Sequence, residues 1–438
     1  MRADQAANPT GKTVEALVTE IARQRAQLTQ SRSFSSIRKV AQELGLHRVA
    51  SKQVVVGGTN GKGSTVRYLQ QLLSHQGIRV GTTTSPHVHN YLERIMLDGV
   101  QVEPTQCLNA IHAIADATRD IALTYFDLTT LAALHVFNQW KVDVAVVEVG
   151  LGGRLDCANV VDCDVAVITN VDLDHCDILG DTIEAISREK VPIARPSKPL
   201  VFADNRVNQV VREYANEHGN PLFRFGTEFG VSDARSVFFT EGSGLRTMPL
   251  PSSIDYPLES FSSALQAAAL MNRAPYDKQL ETMRFSILAG RLERRFVSDR
   301  HWIFDVAHNP AAIVYLRRAI AKRNFAKCVV VFACFSDKDV EGMLESIVNP
   351  GVRDAAKVIG IVLTDSHGER ALSATAVQRI VKERHCPVHV ESKLDSALRI
   401  ASKLATDQDV PIVILGSFDV VARARRALNI STTENVVP

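Results

Sequence analysis

The chain reads as an α/β protein of two domains, each built on a mostly parallel sheet. Three observations predict this. Over residues 54–67, three β-branched residues run into Gly57-Gly58-Thr59-Asn60-Gly61-Lys62-Gly63-Ser64, and Val66, Tyr68, Leu69, Leu72 and Leu73 follow at helical spacing. That is strand, glycine-rich turn, helix. Apolar runs at 144–149 and 165–169, typical of strands buried on both faces, each lead into polar groups. Beyond residue 298, five strand-like runs alternate with helical patterns, as in a doubly wound sheet. A chain of 438 residues also exceeds the size at which one core keeps growing. The expected domains are 1–298 and 299–438.

Composition narrows the function classes. Fifty Lys plus Arg stand against 48 Asp plus Glu, a net charge of +2, so there is no general footprint for nucleic acid or an anionic membrane. Seven scattered cysteines without a C-x-x-C pair fit reduced thiols rather than a disulfide frame or zinc site. The N-terminal stretch lacks the layout of a signal peptide, and no apolar run approaches a membrane span. A soluble, cytoplasmic protein is expected, working as a monomer on small molecules.

In chain order, residues 1–50 read as a polar tail and scaffold helices. The glycine turn lets backbone N–H groups converge on phosphate oxygens, Lys62 can neutralise phosphate, and Ser64 offers a hydroxyl to Mg²⁺. The strict G-x-x-x-x-G-K-[ST] pattern is missed, because Val56 holds the first glycine position and Gly63 follows the lysine. The strand at 78–83 ends in Thr84-Ser85-Pro86-His87. Taken alone, Ser85 and His87 are more often turn residues than ligands. Residues 123–140 carry Thr124-Tyr125-Phe126-Asp127 and then a helix. Glu148 ends the next buried run, where a carboxylate is costly unless paired or bound to metal. Gly150-Leu151-Gly152-Gly153-Arg154-Leu155-Asp156 follows, a loop open to close backbone approach. The 165–169 run leads to Asn170-Val171-Asp172-Leu173-Asp174-His175, so three strands deliver Ser64, Glu148 and His175 toward one sheet edge, the edge where open α/β sheets bind ligands. Asp181 and Glu184 have the spacing of a capping box, and Lys190, at the end of that helix, reads as an exposed cation favoured by the dipole. A helix is expected over 261–271 and a cationic hinge at 288–295. In the second domain the strand at 302–306 opens into Asp305-Val306-Ala307-His308-Asn309-Pro310, where His308 reads equally as a capping or packing histidine.

These motifs together resemble the bacterial dihydrofolate synthase/folylpolyglutamate synthases, relatives of the ATP-dependent Mur ligases. GGTNGKGS (57–64), TSPH (84–87), LTYFD (123–127), VVEVGLGGRLDCANVVD (146–162), DLDHCDILG (172–180), REKVPI (188–193), AGR (289–291), FDVAHNP (304–310) and LGSFDVVA (415–422) occur in the family order. The resemblance implies a phosphate-loop ATPase domain followed by a smaller Rossmann-like domain, with catalysis in the cleft between them. It implies an enzyme that uses ATP and Mg²⁺ at two metal sites to join L-glutamate to dihydropteroate, and to reduced folates, through an acyl phosphate. By the same resemblance, Gly58 to Ser64, Arg291 and Asp305 contact ATP. Ser64, Ser85, Glu148, His175 and a carbamylated Lys190 bind metal, Thr124 to Asp127 and Leu155 to Cys157 line the pterin site, and Lys62, Lys190 and His308 serve catalysis. The family places an asparagine at the start of the helix near Phe261; here Ser262, Ser263 or Gln266 are the available substitutes. Cys157 stands where alanine is commoner. The alternatives are a folylpolyglutamate synthase without dihydropteroate activity, a paralogue acting on another acid, and a nucleotide-binding protein that has lost ligation.

Overall fold

A computed structural model of the chain describes residues 10–28, 31–206, 208–232, 236–254, 257–349, 351–381, 386–407 and 409–431. The chain forms two compact units, Met1–Val171 with Thr182–Arg284, and Asp172–Asp181 with Phe285–Pro438.

The first unit is built on β1 (Lys52–Gly57), β2 (Val80–Thr83), β3 (Ile95–Leu97), β4 (Val100–Gln101), β5 (Val144–Glu148), β6 (Val165–Ile168), β7 (Leu200–Phe202) and β8 (Leu222–Arg224). Their order is β4-β3-β2-β5-β1-β6-β7-β8. All pairs from β2 to β8 are parallel, and β3 and β4 fold back antiparallel at one edge. The central strands carry no polar alternation because both of their faces are covered; Val54 to Val56, Val144 to Val147 and Val165 to Ile168 are all buried. The helix Lys62–Ser74 buries Val66, Tyr68, Leu69, Leu72 and Leu73, the set its spacing predicts. It meets the helix Leu258–Leu270 through an edge-on Tyr68–Phe261 contact at 5.6 Å. The weakly patterned stretch after residue 199 supplies β7, β8 and a small antiparallel sheet of β9 (Gly230–Val231), β10 (Ser236–Glu241) and β11 (Gly244–Pro249). Gln266 fastens that sheet to the Leu258–Leu270 helix, accepting from Thr240 N (2.8 Å) and donating to Thr240 O (3.0 Å).

The second unit carries β12 (Glu293–Val297), β13 (Arg300–Phe304), β14 (Lys327–Phe332), β15 (Lys357–Leu363), β16 (Val388–Val390) and β17 (Ile412–Leu415), ordered β12-β13-β17-β14-β15-β16. Every pair is parallel except β12 with β13. The five expected strands form, and the sixth, β12, shifts the division of the chain. Residues 293–297, read as hinge and first domain, pair along their whole length with β13 across a turn at Ser298-Asp299, so the second unit begins at Phe285 rather than beyond Ser298. Buried Glu293 locks the hairpin in place: it accepts from Arg295 Nε (2.8 Å) and Gly290 N (3.0 Å) and is paired with buried Arg425.

Two local readings are corrected. Thr182, not Asp181, caps the helix Ile183–Lys190, its hydroxyl accepting from Ala185 N at 3.1 Å. The segment 172–181, expected to stay with the first domain's sheet, packs with the second unit.

Candidate active site

The glycine loop follows β1 at the centre of the first sheet. Its path depends on Gly58 and Gly61, whose φ values of 135° and 84° lie where side chains are strained. A Cβ at Gly58 would also overlap Thr169 Oγ1. The loop is tied to the end of β6: Thr59 N donates to Asn170 O (3.0 Å), Asn60 N to Asn170 Oδ1 (2.8 Å), and Thr169 Oγ1 to Asn60 O (2.6 Å). Lys62 opens the helix and turns its amine back to Gly58 O and Thr59 O, both at 3.1 Å. Gly63 and Ser64 are buried in that first turn. The cradle is shaped by tertiary bonds as well as by glycine, and it fits the phosphate chain of a nucleotide, which the N-terminal end of a helix favours.

Glu148 ends β5 next to β1, and only 3% of it is exposed. It accepts from Ser85 N at 3.2 Å, which sets Ser85, at the end of β2, beside a buried carboxylate. The Glu148 carboxylate and the hydroxyl of Ser85 beside it, with the Ser64 hydroxyl on the helix that follows the neighbouring strand, are hard oxygen donors of the kind that suits a divalent cation such as Mg²⁺. Lys190 overturns its local reading: it is 4% exposed, and its amine donates to Gly58 O at 3.1 Å. The helix end is drawn inward by Arg154 N, which donates to Glu189 O at 2.7 Å.

Among the residues carried over for the acid substrate, Thr124 caps the helix Tyr125–Trp140 in a capping box with Asp127. The signal for it, Thr-x-x-Asp before an apolar run, was present in the sequence. Asp127 is fully buried and accepts from Thr124 N (2.9 Å), Thr124 Oγ1 (2.8 Å) and two nitrogens of Arg32 (2.8 Å each). Asp156 accepts from Leu151 N (2.9 Å) and Ala158 N (2.8 Å), and burial pushes its carboxyl up to about 6. Burial also raises the Cys157 thiol, which donates to Asp127 O at 3.7 Å. Next to Asp127 and Asp156 in sequence, Tyr125 and Phe126 are half-buried and Leu155 is 47% exposed. Partly exposed apolar side chains next in sequence to buried carboxylates are of the kind that suits a flat heteroaromatic ring. Beside them, Arg94 lies over the Tyr125 ring (5.1 Å) and donates to His87 Nδ1 (2.9 Å). Burial, with Arg94 and His89 nearby, lowers His87 to about 4, so its other nitrogen carries the proton that faces Glu15 Oε1 at 3.4 Å.

The second unit has its own polar cluster. Arg291 stacks over Phe418 at 4.8 Å. Its loop is held by Glu293 at Gly290 N and by Asp305, which accepts from Leu292 N (2.7 Å) and Ala307 N (2.8 Å). Burial raises the Asp305 carboxyl against the opposing pull of Arg291 and these two amides. Asn309, rather than His308, caps the helix Pro310–Lys322. His308 donates from Nδ1 to Val306 O (2.8 Å) and turns Nε2 toward Asp174 Oδ2 (3.5 Å). Asp174 also accepts from Asn309 Nδ2 (3.1 Å) and Lys338 Nζ (3.0 Å), and Lys338 lies 3.2 Å from His175 Nε2. Desolvation alone would raise Asp174; His308, Lys338 and His175 outweigh it and hold the carboxylate well below its usual range. Asp174 and Lys338 were not marked as site residues by sequence.

Of the three substitutes for the asparagine near Phe261, Gln266 is committed to β10, and Ser262 and Ser263 donate to carbonyls one turn back in their own helix. Ser260, which sequence reasoning passed over, donates to Gly61 O of the glycine loop at 3.4 Å.

Comparison with known proteins finds matches in both units. Residues 56–257 match the Mur ligase middle domain, and residues 290–418 match the Mur ligase glutamate ligase domain. The dihydrofolate synthase/folylpolyglutamate synthase of Escherichia coli is 38% identical over 308 residues, 70% of this chain and 72% of the relative. That of Haemophilus influenzae is 32% identical over 88% of this chain and 91% of the relative. The chain belongs to the dihydrofolate synthase/folylpolyglutamate synthase family of Mur ligases. Solved structures of the family match nearly the whole chain. The E. coli enzyme FolC in complex with DHPP and ADP has a TM-score of 0.81 at 30% identity, covering 98% of this chain and 99% of that one. The Yersinia pestis enzyme with AMPPNP and Mn has 0.80 at 31%, covering 98% and 100%. The family uses ATP with a divalent metal. Among the described residues no helix is long and apolar enough to cross a membrane, and all seven cysteines are free thiols.

Proposed function

We propose that this ATP-dependent ligase joins L-glutamate to dihydropteroate and extends reduced folates with further glutamates. The acid's carboxylate takes the γ-phosphoryl group of ATP, with ADP leaving, to give an acyl phosphate; the amino nitrogen of glutamate attacks the acyl carbon and loses a proton, and phosphate leaves. A divalent cation, when bound, neutralises charge on the transferring phosphoryl group. In the first unit, the residues from Gly58 to Ser64 would hold the phosphates, with Ser64, Ser85 and Glu148 on the metal. Phe126, Leu155 and Asp156 would seat the pterin. In the second unit, Arg291 and Phe418 would receive the nucleotide, and His308 would meet the phosphoryl group or glutamate; His175 keeps its proposed role as a metal ligand. The free thiols support a reducing, cytoplasmic setting.

One observation carries the reading. Lys62 and Lys190 both place their amines 3.1 Å from Gly58 O, so the two nitrogens lie within twice 3.1 Å of each other, one of them on a buried side chain. In its neutral form Lys190 would present a nucleophilic nitrogen at this loop. A neutral amine is the form that adds to CO₂: the nitrogen bonds to carbon, a proton leaves, and the resulting carbamate would offer an oxygen ligand beside Lys62. A protein that only binds nucleotide has no use for that second anionic group. The test is glutamate-dependent phosphate release with dihydropteroate and tetrahydrofolate supplied separately. Release with both acids is expected, and release with neither overturns the proposal.

A further inference from the structure

The N-terminal residues, which look like scaffold in sequence, supply a positioning group to the proposed acid site. One guanidinium joins both of its segments: Arg32 Nε and Nη2 each donate to a different oxygen of Asp127 at 2.8 Å, and Nη2 also donates to Leu155 O at 3.1 Å. Asp127 belongs to the 124–127 segment and is fully buried; Leu155 opens the 155–157 segment. The two segments also meet through the Cys157 thiol, a weak donor to Asp127 O at 3.7 Å. The Asp127 bond raises the Arg32 pKa, so the guanidinium stays charged at every working pH. About a third of the Arg32 side chain reaches solvent, so the staple lies at the rim and does not fill the core.

We propose that Arg32 is a positioning residue that fixes the spacing between Phe126 and Leu155, and so sets affinity for the pterin-bearing acid. The proposal rests on the reading that these two segments seat the pterin. A fork is needed here because three donors in one plane reach two oxygens and a carbonyl at once; lysine, a compact point charge, cannot hold all three directions together. The helix cap does not depend on Arg32, because Asp127 keeps its two bonds from Thr124. The first turn therefore persists when the guanidinium is removed, while the tie to Leu155 is lost.

The test is Arg32→Met, which keeps the apolar stem, with Arg32→Lys as the conservative variant and Phe126→Ala as a control on the pterin reading. Dihydropteroate and nucleotide affinities are measured separately by titration calorimetry, and KM and kcat by phosphate release. Losing charge-assisted bonds at a site that must hold its shape is expected to weaken dihydropteroate roughly 10- to 100-fold in Kd and KM. Nucleotide affinity should stay within about 2-fold, and Arg32→Lys should recover part of the loss. A merely structural role would lower the melting temperature and weaken both ligands alike. If Arg32→Met folds and binds dihydropteroate normally, or loses both ligands equally, the proposal is overturned. Should Arg32→Met fail to fold, Arg32→Lys alone decides it, since unchanged dihydropteroate affinity in that variant is equally fatal. If Phe126→Ala also leaves dihydropteroate affinity unchanged, it is the pterin reading that has failed.

Discussion

Gly150 is a place where a single methyl group tests the proposed acid site. An ideal Cβ there would lie 2.7 Å from Phe126 Cε2 and Cζ and 3.0 Å from Cδ2. Carbon atoms rest at about 3.5–4.0 Å, so the overlap is about 1 Å and the ring must move. Gly150 is not among the residues with positive φ, so alanine fits the backbone and the cost passes entirely through Phe126. Overpacking of this kind costs about 1–3 kcal/mol, and the lower chain entropy of alanine returns about 0.4–1 kcal/mol. Gly150→Ala should therefore destabilise the first unit by up to about 2.6 kcal/mol and weaken dihydropteroate. In a Phe126→Ala background the same substitution should be neutral or slightly stabilising, a coupling of about 1–3 kcal/mol between the two sites. The assay is urea unfolding of the four proteins of this cycle in a Trp302→Phe background. Trp140, at the far end of the helix whose first turn carries Phe126, then reports the first unit alone. Equal costs of Gly150→Ala with and without the Phe126 ring would refute the packing argument.

Glu148→Gln removes the buried metal-facing charge with almost no change in volume. Phosphate release should fall at least 100-fold while circular dichroism and melting stay close to wild type, and near-normal turnover at saturating Mg²⁺ would contradict the assignment. Lys190→Ala should abolish ligation, with part of it returning on addition of a small carboxylic acid that supplies the missing oxygens. Crystals of the active protein grown near neutral pH should show density beyond Lys190 Nζ, and an unmodified amine in a metal-loaded crystal would refute the carbamate. Burial pushes Asp156 up to about 6 from an ordinary 3.8. Between those values the native state keeps a proton that the unfolded chain has released. Its contribution is therefore full below pH 4 and is lost as pH rises through 6, about 3 kcal/mol in all. Asp156→Asn should lack that slope in urea midpoints from pH 4 to 6, and parallel profiles would show the shift to be wrong.

The strands were legible because a continuous apolar run has one cheap fate, burial on both faces. Val144 to Val147 and Ile412 to Leu415 needed no further information. Glu148 was legible for the complementary reason, since a carboxylate at the end of such a run demands a partner. The Thr124 cap was equally readable and was passed over. Lys190 was not readable in the same way. Helix-end lysines are ordinary, and what buries this one is the docking of its helix on the 153–154 backbone: a Cβ at Gly153 would sit 3.0 Å from both Glu189 O and Lys190 O. The close approach depends on a glycine 37 positions upstream, which no local pattern connects to the lysine.

The charged residues that sequence reasoning missed share this cause. Arg32 meets Asp127 across 95 residues, and Lys338 meets Asp174 across 164. In sequence each is one cation in a polar stretch, indistinguishable from a solvated one. The distinction arises only after folding, when a carboxylate such as Asp127 loses water entirely and an exposed-looking arginine becomes the group that keeps its charge satisfied. Desolvation makes such pairs costly to break, because removing one partner leaves the other's charge buried with only its remaining hydrogen bonds. A substitution at Arg32 should therefore be felt at Asp127 and, through the shared guanidinium, at Leu155 before it is felt anywhere else. Site residues of this kind are found by asking which buried charge each surface cation serves, a question that only the folded chain answers.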